Sequence, residues 1–213
     1  MNSHKNKDNH NPDIHISNLE LKDLDRYLNI EFDAFYDKLK IMFSNKKKAA
    51  FSILKEEIFN NIDTGRYYNA RSGGITVGII EIVTKENTRA YSKSFRTYIK
   101  YLGFFRAVKA FLFNLFETPK LDSSTIYIDN VAVDIDNRRK GVAKKMLSFV
   151  EDYAIKSRKG VLTLWVAAAN KNAYTLYSKS GFYDVVLRSS GMAEKFSGYR
   201  DWIYMKKEIQ NPN

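Results

Sequence analysis

Residues 126–153 constrain the fold of this chain more than any other stretch of its sequence. The first eight, 126–133, open with apolar residues at alternate positions and end on three consecutive apolar residues, which predicts a strand buried on at least one face. A polar turn follows, and from Val142 apolar residues recur at helical spacing. The first amides of a helix have no intrahelical partner and its dipole favours an anion, so a basic loop between strand and helix predicts a phosphate site.

That loop consists of Arg138, Arg139, Lys140, Gly141, Val142 and Ala143. Gly141 and Ala143 are small, which lets a phosphate approach the backbone. Neither the dinucleotide fingerprint G-x-G-x-x-G nor the P-loop pattern is present. Neither of these nucleotide-binding motifs therefore identifies the ligand of the predicted phosphate site.

A second pattern begins after the predicted helix, which we expect to end at Gly160. Residues 161–167 are almost continuously apolar and predict a buried strand parallel to 126–133, since a strand–helix–strand unit returns to the same sheet. Polar and apolar residues then follow at fixed intervals, namely Asn170, Ala173, Leu176, Tyr177, Gly181 and Phe182.

Apolar spacing also predicts the remaining elements. The expected strands are 14–19, 66–70, 75–83, 182–188 and 202–207, and the expected upstream helices are 24–35 and 49–62. A glycine pair, Gly73 and Gly74, predicts a hairpin turn between the second and third strands.

The two patterns together resemble those of the GNAT superfamily of acetyl-CoA-dependent N-acetyltransferases. Arg138-x-x-Gly141-x-Ala143 is similar to the acyl-CoA-binding motif of that family. The family's second hallmark, N-x-x-A-x-x-L-Y-x-x-x-G-F, is matched at every position from Asn170 to Phe182. The resemblance implies an α/β fold, a mixed sheet flanked by helices with splayed central parallel strands. It also implies one domain, 14–209. Residues 1–13 are polar and rich in Asn and His, which predicts a disordered N-terminal arm.

The resemblance assigns the cofactor-binding residues as well. Backbone groups of Val131, Ala132 and Val133 would pair with the pantetheine arm of acetyl-CoA. The pyrophosphate would bind the backbone of the loop, Arg138, Arg139, Lys140, Gly141, Val142 and Ala143, although the two arginines could also be plain surface charges. Asn170 would either bond the pantetheine or cap the following helix.

Acetyl transfer to an amine needs a base, because a lysine-like amine is protonated below a pKa of about 10.4. Asp129 is the candidate base, on the face of the strand that Val131 shares, with Glu81 in reserve. Asp129 could instead order a loop or bind the substrate ammonium. The resemblance gives Tyr177 the role of general acid toward the leaving thiolate, whereas Tyr174 is assigned to packing.

Cysteine is absent, and all three histidines lie within the first fifteen residues. These facts exclude a thiol nucleophile, a disulfide framework and a cysteine-based zinc site, and a covalent acyl-enzyme is not expected. We expect no metal. The sequence contains neither a signal-peptide pattern nor about 18 consecutive apolar residues, so the expected location is the cytoplasm.

The net charge of +11 favours anionic partners, although it could also reflect a lysine-rich surface. No helix-turn-helix or RNP-like pattern is present, so no nucleic-acid partner is expected. The expected partners are acetyl-CoA and an amine acceptor.

Residues 91–120 depart from a minimal version of the fold. Aromatic and basic residues are interleaved there, which predicts a helical insertion between the third and fourth strands, broken near Gly103. The segment could pack on the domain as a flap, line the substrate site as a lid, form a homodimer surface or contact a membrane surface.

The sequence thus predicts an N-acetyltransferase that moves acetyl from acetyl-CoA to a primary amine by direct attack. The alternative is a catalytically inactive CoA-binding sensor or interaction module. The acceptor could be a small molecule, a peptide N-terminus or a protein lysine.

Overall fold

The computed structural model describes residues 13–43, 45–88, 95–108 and 121–210. The strands are β1 (Ile14–Asn18), β2 (Tyr67–Ser72), β3 (Ile75–Val83), β4 (Thr125–Val133), β5 (Val161–Ala167), β6 (Tyr183–Ser189) and β7 (Asp201–Glu208). The helices are α1 (Leu24–Ala34), α2 (Tyr36–Met42), α3 (Lys47–Asn61), α4 (Phe95–Leu102), α5 (Val142–Lys156), α6 (Lys171–Lys179) and α7 (Gly191–Ser197). The predicted N-terminal arm lies almost wholly outside the described residues.

The seven strands form one mixed sheet in the order β1-β2-β3-β4-β5-β7-β6. Only β4 and β5 pair in parallel, as the strand–helix–strand pattern predicts, and every other neighbouring pair is antiparallel. Gly73 and Gly74 both take positive φ and turn β2 into β3, which confirms the predicted hairpin. The predicted α/β fold with a mixed sheet is confirmed.

Each face of the sheet carries its own hydrophobic core. Helices α1, α2 and α3 cover one face, where Tyr27, Ile53 and Ile79 are buried. Helix α5 covers the other, where Met146 packs with Ile80 and Ile128. The helix approaches β3 most closely at Gly78, where an added Cβ would come within 2.9 Å of Val142. The central strands therefore contribute side chains to the cores on both faces of the sheet.

Helix α4 lies between β3 and β4 in the chain, where the insertion is predicted, and Gly103 follows it at φ 77°. It packs on α3 through the Glu56 carboxylate, which accepts hydrogen bonds from Thr97, Lys100 and Tyr101 at 2.8, 3.0 and 3.2 Å. Within the described part of the insertion, α4 therefore packs against the domain. Residues 91–94 and 109–120 lie outside the described ranges, so the lid, dimer and membrane alternatives stay untested.

The helix predicted over 24–35 is confirmed as α1, and a second helix, α2, follows it after Phe35, whose φ of −115° and ψ of 20° lie outside the helical region. One predicted boundary is wrong. Helix α5 ends at Lys156 rather than at Gly160, because Arg158 takes the left-handed conformation at φ 54°. No helix in the described ranges has both the length and the apolar composition needed to cross a membrane.

Candidate active site

A gap opens between the two central strands. Strands β4 and β5 pair only at Thr125, Ile126 and Tyr127, opposite Val161, Leu162 and Thr163. Beyond that point β5 pairs with β7 along its other edge, and β4 pairs with β3. The facing edges of Val131, Ala132 and Val133 on one side and of 164–167 on the other therefore have no strand partner among the described residues. An extended polar chain could pair with both edges.

The loop after β4 leads into helix α5 through a left-handed glycine. Gly141 takes φ 80° as the residue before α5, and Arg139 takes φ 62°. The backbone amides of 139–144 donate to no other backbone group in the described chain, because the first such bond of the helix runs from Lys145 to the Gly141 carbonyl at 3.0 Å. These amides and the positive end of the helix dipole suit an anion.

The side chains of the loop differ in what they contact. Arg138 Nε donates to the Val133 carbonyl at 3.2 Å, so this arginine ties the loop back to the strand. Lys140 reaches Asn137 at 3.4 Å. Val142 is buried in the core beneath α5, and Ala143 is partly buried there. The groups of the loop that an anion could reach are therefore mainly its backbone amides.

A β-bulge places Asp129 on β4. Glu81 of β3 pairs with Asn130 and the next residue, Ile82, pairs with Ile128, so Asp129 is the extra residue in the ladder. Both Asp129 and Asn130 line a cavity under the α1–α3 layer. The prediction that Asp129 shares a face with Val131 is wrong, because the bulge breaks the alternation and Val131 packs on the α5 side.

The cavity has a volume of about 50 Å³. Its wall combines apolar and charged side chains from three helices and three strands. They are Glu31, Phe35, Lys38, Leu39, Met42, Leu54, Glu57, Ile58, Arg66, Tyr67, Glu81, Asp129 and Asn130. It is referred to below as the acidic cavity.

Arg66 links the two candidate bases. Its guanidinium lies 2.5 Å from Glu81 Oε1 and 3.5 Å from Asp129 Oδ2, and its side chain is 1% exposed. The other oxygen of Glu81 accepts a hydrogen bond from Asn130 at 2.6 Å. Glu81 is thus held at both oxygens, whereas Asp129, with 19% of its side chain exposed, is the more accessible carboxylate.

Tyr177 lies on α6, beyond the carboxyl end of β5. It is 8% exposed and packs edge-on against Phe182 with ring centroids 5.9 Å apart. Burial raises the pKa of its hydroxyl to about 12, so the phenol stays protonated at neutral pH. Asn170 caps the same helix, where its Oδ1 accepts a hydrogen bond from the Ala173 amide at 3.2 Å. Of the two uses predicted for Asn170, the cap is present.

Arg66 and Asn130 escape the sequence patterns although both belong to the site. Arg66 is the first residue of a predicted strand, where a charged side chain is usually exposed. No residue near it in the sequence indicates that it is buried. Asn130 follows the candidate base directly, where alternation assigns it to the opposite face. One signal could reveal both residues. Glu81 and Asp129 lie on strands that are predicted to be central, and buried carboxylates require buried partners such as a cation or an amide.

A larger cavity, of about 570 Å³, lies at the amino end of β4 and β5. It is lined by Thr64, Thr84, Glu86, Asn87, Tyr153, Ser157 and Lys159. None of the predicted site residues contributes to it, and it lies at the paired end of the two strands rather than at the gap. No group of three or more acidic or histidine side chains that could hold a metal ion exists within the described ranges.

Residues 29–182, most of the chain, match the sequence model of the acetyltransferase (GNAT) family. The chain belongs to the GNAT family. The match includes the gap, the loop, the bulge and Tyr177.

Relatives of this GNAT protein include [ribosomal protein bS18]-alanine N-acetyltransferases. That of Salmonella typhimurium is 37% identical over 91 residues, which cover 42% of this chain and 58% of the relative. That of Escherichia coli K12 is 39% identical over 70 residues, which cover 32% of this chain and 45% of the relative. The chain thus spans about half the length of these relatives.

Solved structures agree on the fold. A crystal structure of an acetyltransferase has a TM-score of 0.65 at 18% identity and covers 92% of this chain and 100% of its own. An N-acetyltransferase from Staphylococcus aureus Mu50 has a TM-score of 0.63 at 16% identity and covers 93% and 99%. The ribosomal-protein-S18-alanine N-acetyltransferase of Escherichia coli has a TM-score of 0.54 at 17% identity and covers 94% and 96%. These likenesses establish the GNAT fold.

Proposed function

We propose that this GNAT protein transfers the acetyl group of acetyl-CoA to a primary amine by direct attack. The observation that carries the proposal is the gap between β4 and β5, which opens beside the bulged Asp129 and ends at the loop before α5. Bound acetyl-CoA supplies an activated acetyl group as a thioester. The chain itself supplies the binding groups from β4 and the loop that follows it. It supplies the proton-transfer groups from Asp129 on β4 and from Tyr177 after β5.

The cosubstrate fits the residues present. The pantetheine arm is an extended chain with amide groups, which match the edge of β4 at Val131, Ala132 and Val133, where β5 is not paired. The diphosphate matches the unbonded amides of 139–144, and Gly141 at φ 80° has no Cβ to obstruct it. Arg138 fixes the loop against Val133.

Asp129 is the base in this proposal. Asp129 lines the acidic cavity and lies on β4, whose edge toward β5 has no strand partner beyond Tyr127. Arg66 orients it and keeps a positive charge nearby. Glu81 is the poorer candidate, because Arg66 and Asn130 hold both of its oxygens. Asp129 accepts the proton of the incoming ammonium and leaves a neutral nucleophile.

Tyr177 is the acid. Its raised pKa keeps the hydroxyl protonated across the neutral range, so it can donate to a thiolate. Its burial at the open end of the gap keeps that donation away from water. Amides along β4 beside the bulge are the donors available to the carbonyl oxygen as it gains negative charge.

A CoA-binding module without turnover is not favoured, since the relatives are named as enzymes and paired carboxylates lie beside the gap. A cytoplasmic site of action stays part of the proposal, because those relatives are named for a ribosomal protein.

The test combines two measurements on the purified chain. Calorimetry with CoA should detect binding, and release of free thiol from acetyl-CoA should depend on an added primary amine. Binding with no turnover on aliphatic amines, amino acids or a peptide N-terminus would instead establish the CoA-binding module. If neither CoA nor acetyl-CoA binds at millimolar concentration, the proposed function is wrong.

A further inference from the structure

We propose that Arg26 is a positioning residue for the CoA-binding loop, which it holds in place through the carboxylate of Asp134. The inference rests on the proposed function, because the loop amides of 139–144 are taken there as the diphosphate site. Arg26 lies in the first turn of α1, far from the loop in sequence, and belongs to neither of the two sequence motifs. Its contacts and those of Asp134 carry the argument.

The guanidinium of Arg26 joins helix α1 to β3 and to the end of β4. Its Nη2 lies 2.8 Å from Asp134 Oδ1, and its Nε donates to the Thr76 carbonyl of β3 at 3.3 Å. The backbone N–H of Asp134 donates to the Val77 carbonyl of the same strand at 3.0 Å. The first residue after β4 is therefore held by its main chain and by its side chain at the same time.

Asp134 extends this anchor to the turn that leads into the loop. Its second oxygen, Oδ2, accepts a hydrogen bond from Asn137 Nδ2 at 2.9 Å, and its carbonyl accepts one from the Asn137 N–H, also at 2.9 Å. Asn137 Oδ1 in turn accepts a hydrogen bond from Lys140 Nζ at 3.4 Å. One carboxylate thus contacts α1 through one oxygen and the turn through the other, and the amides of 139–144 begin just after that turn.

The backbone conformation of the loop requires such an anchor. Arg139 takes φ 62°, in the left-handed region that a non-glycine residue keeps only where its surroundings hold it. The contacts of Arg26, Asp134 and Asn137 lie immediately before it in the chain. An ion pair in which 44% of the arginine side chain is exposed contributes little to the stability of the fold. Its consequence is therefore to be measured on the loop, in the binding of CoA.

The experiment measures the Kd of CoA and of pantetheine by calorimetry for the wild-type chain, Arg26→Gln and Arg26→Lys. Pantetheine lacks the diphosphate, so in the proposed function it reports on the gap without the loop. Arg26→Gln should raise the Kd of CoA by about threefold to fivefold, the scale of a partly exposed ion pair, and leave that of pantetheine unchanged. In turnover, the KM for acetyl-CoA should rise while kcat is kept. Arg26→Lys, which retains the charge, should recover part of the affinity for CoA.

Lys55→Gln is the matched control. Lys55 of α3 pairs with Asp25 of α1 at 2.5 Å, so this variant also removes one positive charge and one ion pair of helix α1. That pair joins α1 to α3 rather than to the end of β4. A general loss of positive charge would weaken CoA binding equally in both variants, whereas positioning of the loop should affect Arg26→Gln alone.

A double-mutant cycle tests whether Arg26 acts through Asp134. Asp134→Ala removes the side-chain contacts with Arg26 and with Asn137, so it should weaken CoA binding more than Arg26→Gln does. In the Asp134→Ala background, Arg26→Gln should cause little further loss, because its partner is already absent. If Asp134→Ala does not fold, Asp134→Asn, which removes the charge, takes its place in the cycle.

The results separate this inference from the proposed function. The inference is wrong if Arg26→Gln binds CoA as tightly as Lys55→Gln does, or if the losses caused by Arg26→Gln and Asp134→Ala are additive. An equal loss of affinity for CoA and for pantetheine would also overturn it, because the change would then lie outside the loop. Absence of CoA binding by the wild-type chain would instead defeat the proposed function itself.

Discussion

Asp129 and Glu81 lie on either side of one buried guanidinium, and their surroundings separate their roles. Glu81 is bonded at both oxygens and is 5% exposed, whereas Asp129 faces the cavity as the extra residue of a bulge. A carboxylate that must take up a proton needs access to the substrate. Glu81, in contrast, compensates a charge that would be costly to leave buried alone.

Asp129→Asn should lower kcat by about 10²–10⁴-fold at neutral pH, because the amine then loses its proton only to solvent. The loss should shrink as the pH approaches the amine pKa of about 10.4, where the neutral amine is abundant. A pH–rate profile of kcat measures both effects. A profile identical to that of the wild type would remove Asp129 from the role of base.

Glu81→Gln offers the contrasting outcome. Since it leaves Arg66 without its main counter-charge, the free energy of unfolding should fall by about 3–5 kcal/mol, measured by denaturant titration. The folded fraction should keep most of its kcat. Loss of turnover without loss of stability would exchange the assignments of Glu81 and Asp129.

Tyr177→Phe tests the acid. Without the hydroxyl, kcat should fall by about 10²-fold or more, because the thiolate leaves without a proton. The raised pKa of about 12 places deprotonation of Tyr177 well above neutral, so wild-type kcat should show no loss from this group between pH 7 and 10. Tyr174→Phe is the matched control on the same helix, where the hydroxyl bonds Asp184 at 3.1 Å. Equal effects of the two substitutions would contradict the role of Tyr177.

Sequence patterns identify the individual residues of the site unevenly. The loop from Arg138 to Ala143 could be predicted from the sequence, because the proposed anion site consists of consecutive backbone amides before a helix. The candidate base is only partly predictable. Period-two alternation identifies Asp129 as a residue of the strand but places it on the face of Val131, whereas the bulge places it on the opposite face. The burial of Arg66 could not be predicted from its local sequence, because it results from contacts with Glu81 on β3 and Asp129 on β4.

At the scale of elements, the packing of α5 on β3 depends on the missing side chain at Gly78. The nearest atoms to an added Cβ are Val142 Cγ1 at 2.9 Å and Met146 Cε at 3.2 Å. Val142 is β-branched and stiff, and it begins the helix directly after Gly141. The position of the loop is thus coupled to this contact.

Gly78→Ala should therefore lower the free energy of unfolding by about 1–3 kcal/mol through overpacking. It should also weaken CoA binding, because the start of α5 must move. Gly160→Ala is the control, since an added Cβ there meets nothing within 4 Å and its φ is not positive. Denaturant titration and calorimetry measure the two effects. If Gly78→Ala is as stable as Gly160→Ala, the contact has no importance for the fold.

Elements with strong periodicity are predictable and short ones are not. Helix α5 follows from its apolar spacing, but its end does not, because Arg158 rather than Gly160 takes the left-handed position. Helix α7 has no predicted counterpart, since its seven residues carry no apolar repeat. Its contact with α2 is decided by the tertiary fold.

At the scale of the molecule, the sheet consists of two halves joined at only three residue pairs of β4 and β5. The gap is foreseen from family resemblance and not from periodicity, because apolar patterns show burial and not pairing. Helix α5, which contacts β3, β4 and β5, and the contact of α2 with α7 also connect the halves. A ligand that pairs with both strand edges would add a further connection.

Saturating CoA should therefore stabilise the whole fold. At a concentration of 100 times the Kd, the free energy of unfolding should rise by about 2.7 kcal/mol, which raises Tm by about 5–10 °C for a chain of this size. Pantetheine at the same concentration should raise Tm less, because it lacks the diphosphate that the loop amides would bind. Thermal unfolding followed by circular dichroism measures both shifts. Equal shifts would show that the loop contributes nothing.

The bulge at Asp129 has a consequence for how such a site could arise. Ile128 and Asn130 would be consecutive partners of Ile82 and Glu81 in a chain one residue shorter, and every later pair of β3 and β4 would keep its place. The proposed base thus occupies a position that the ladder does not require. A single-codon insertion would suffice to add it to this ladder, and a single-codon excision would remove it while the hydrophobic pattern stays intact.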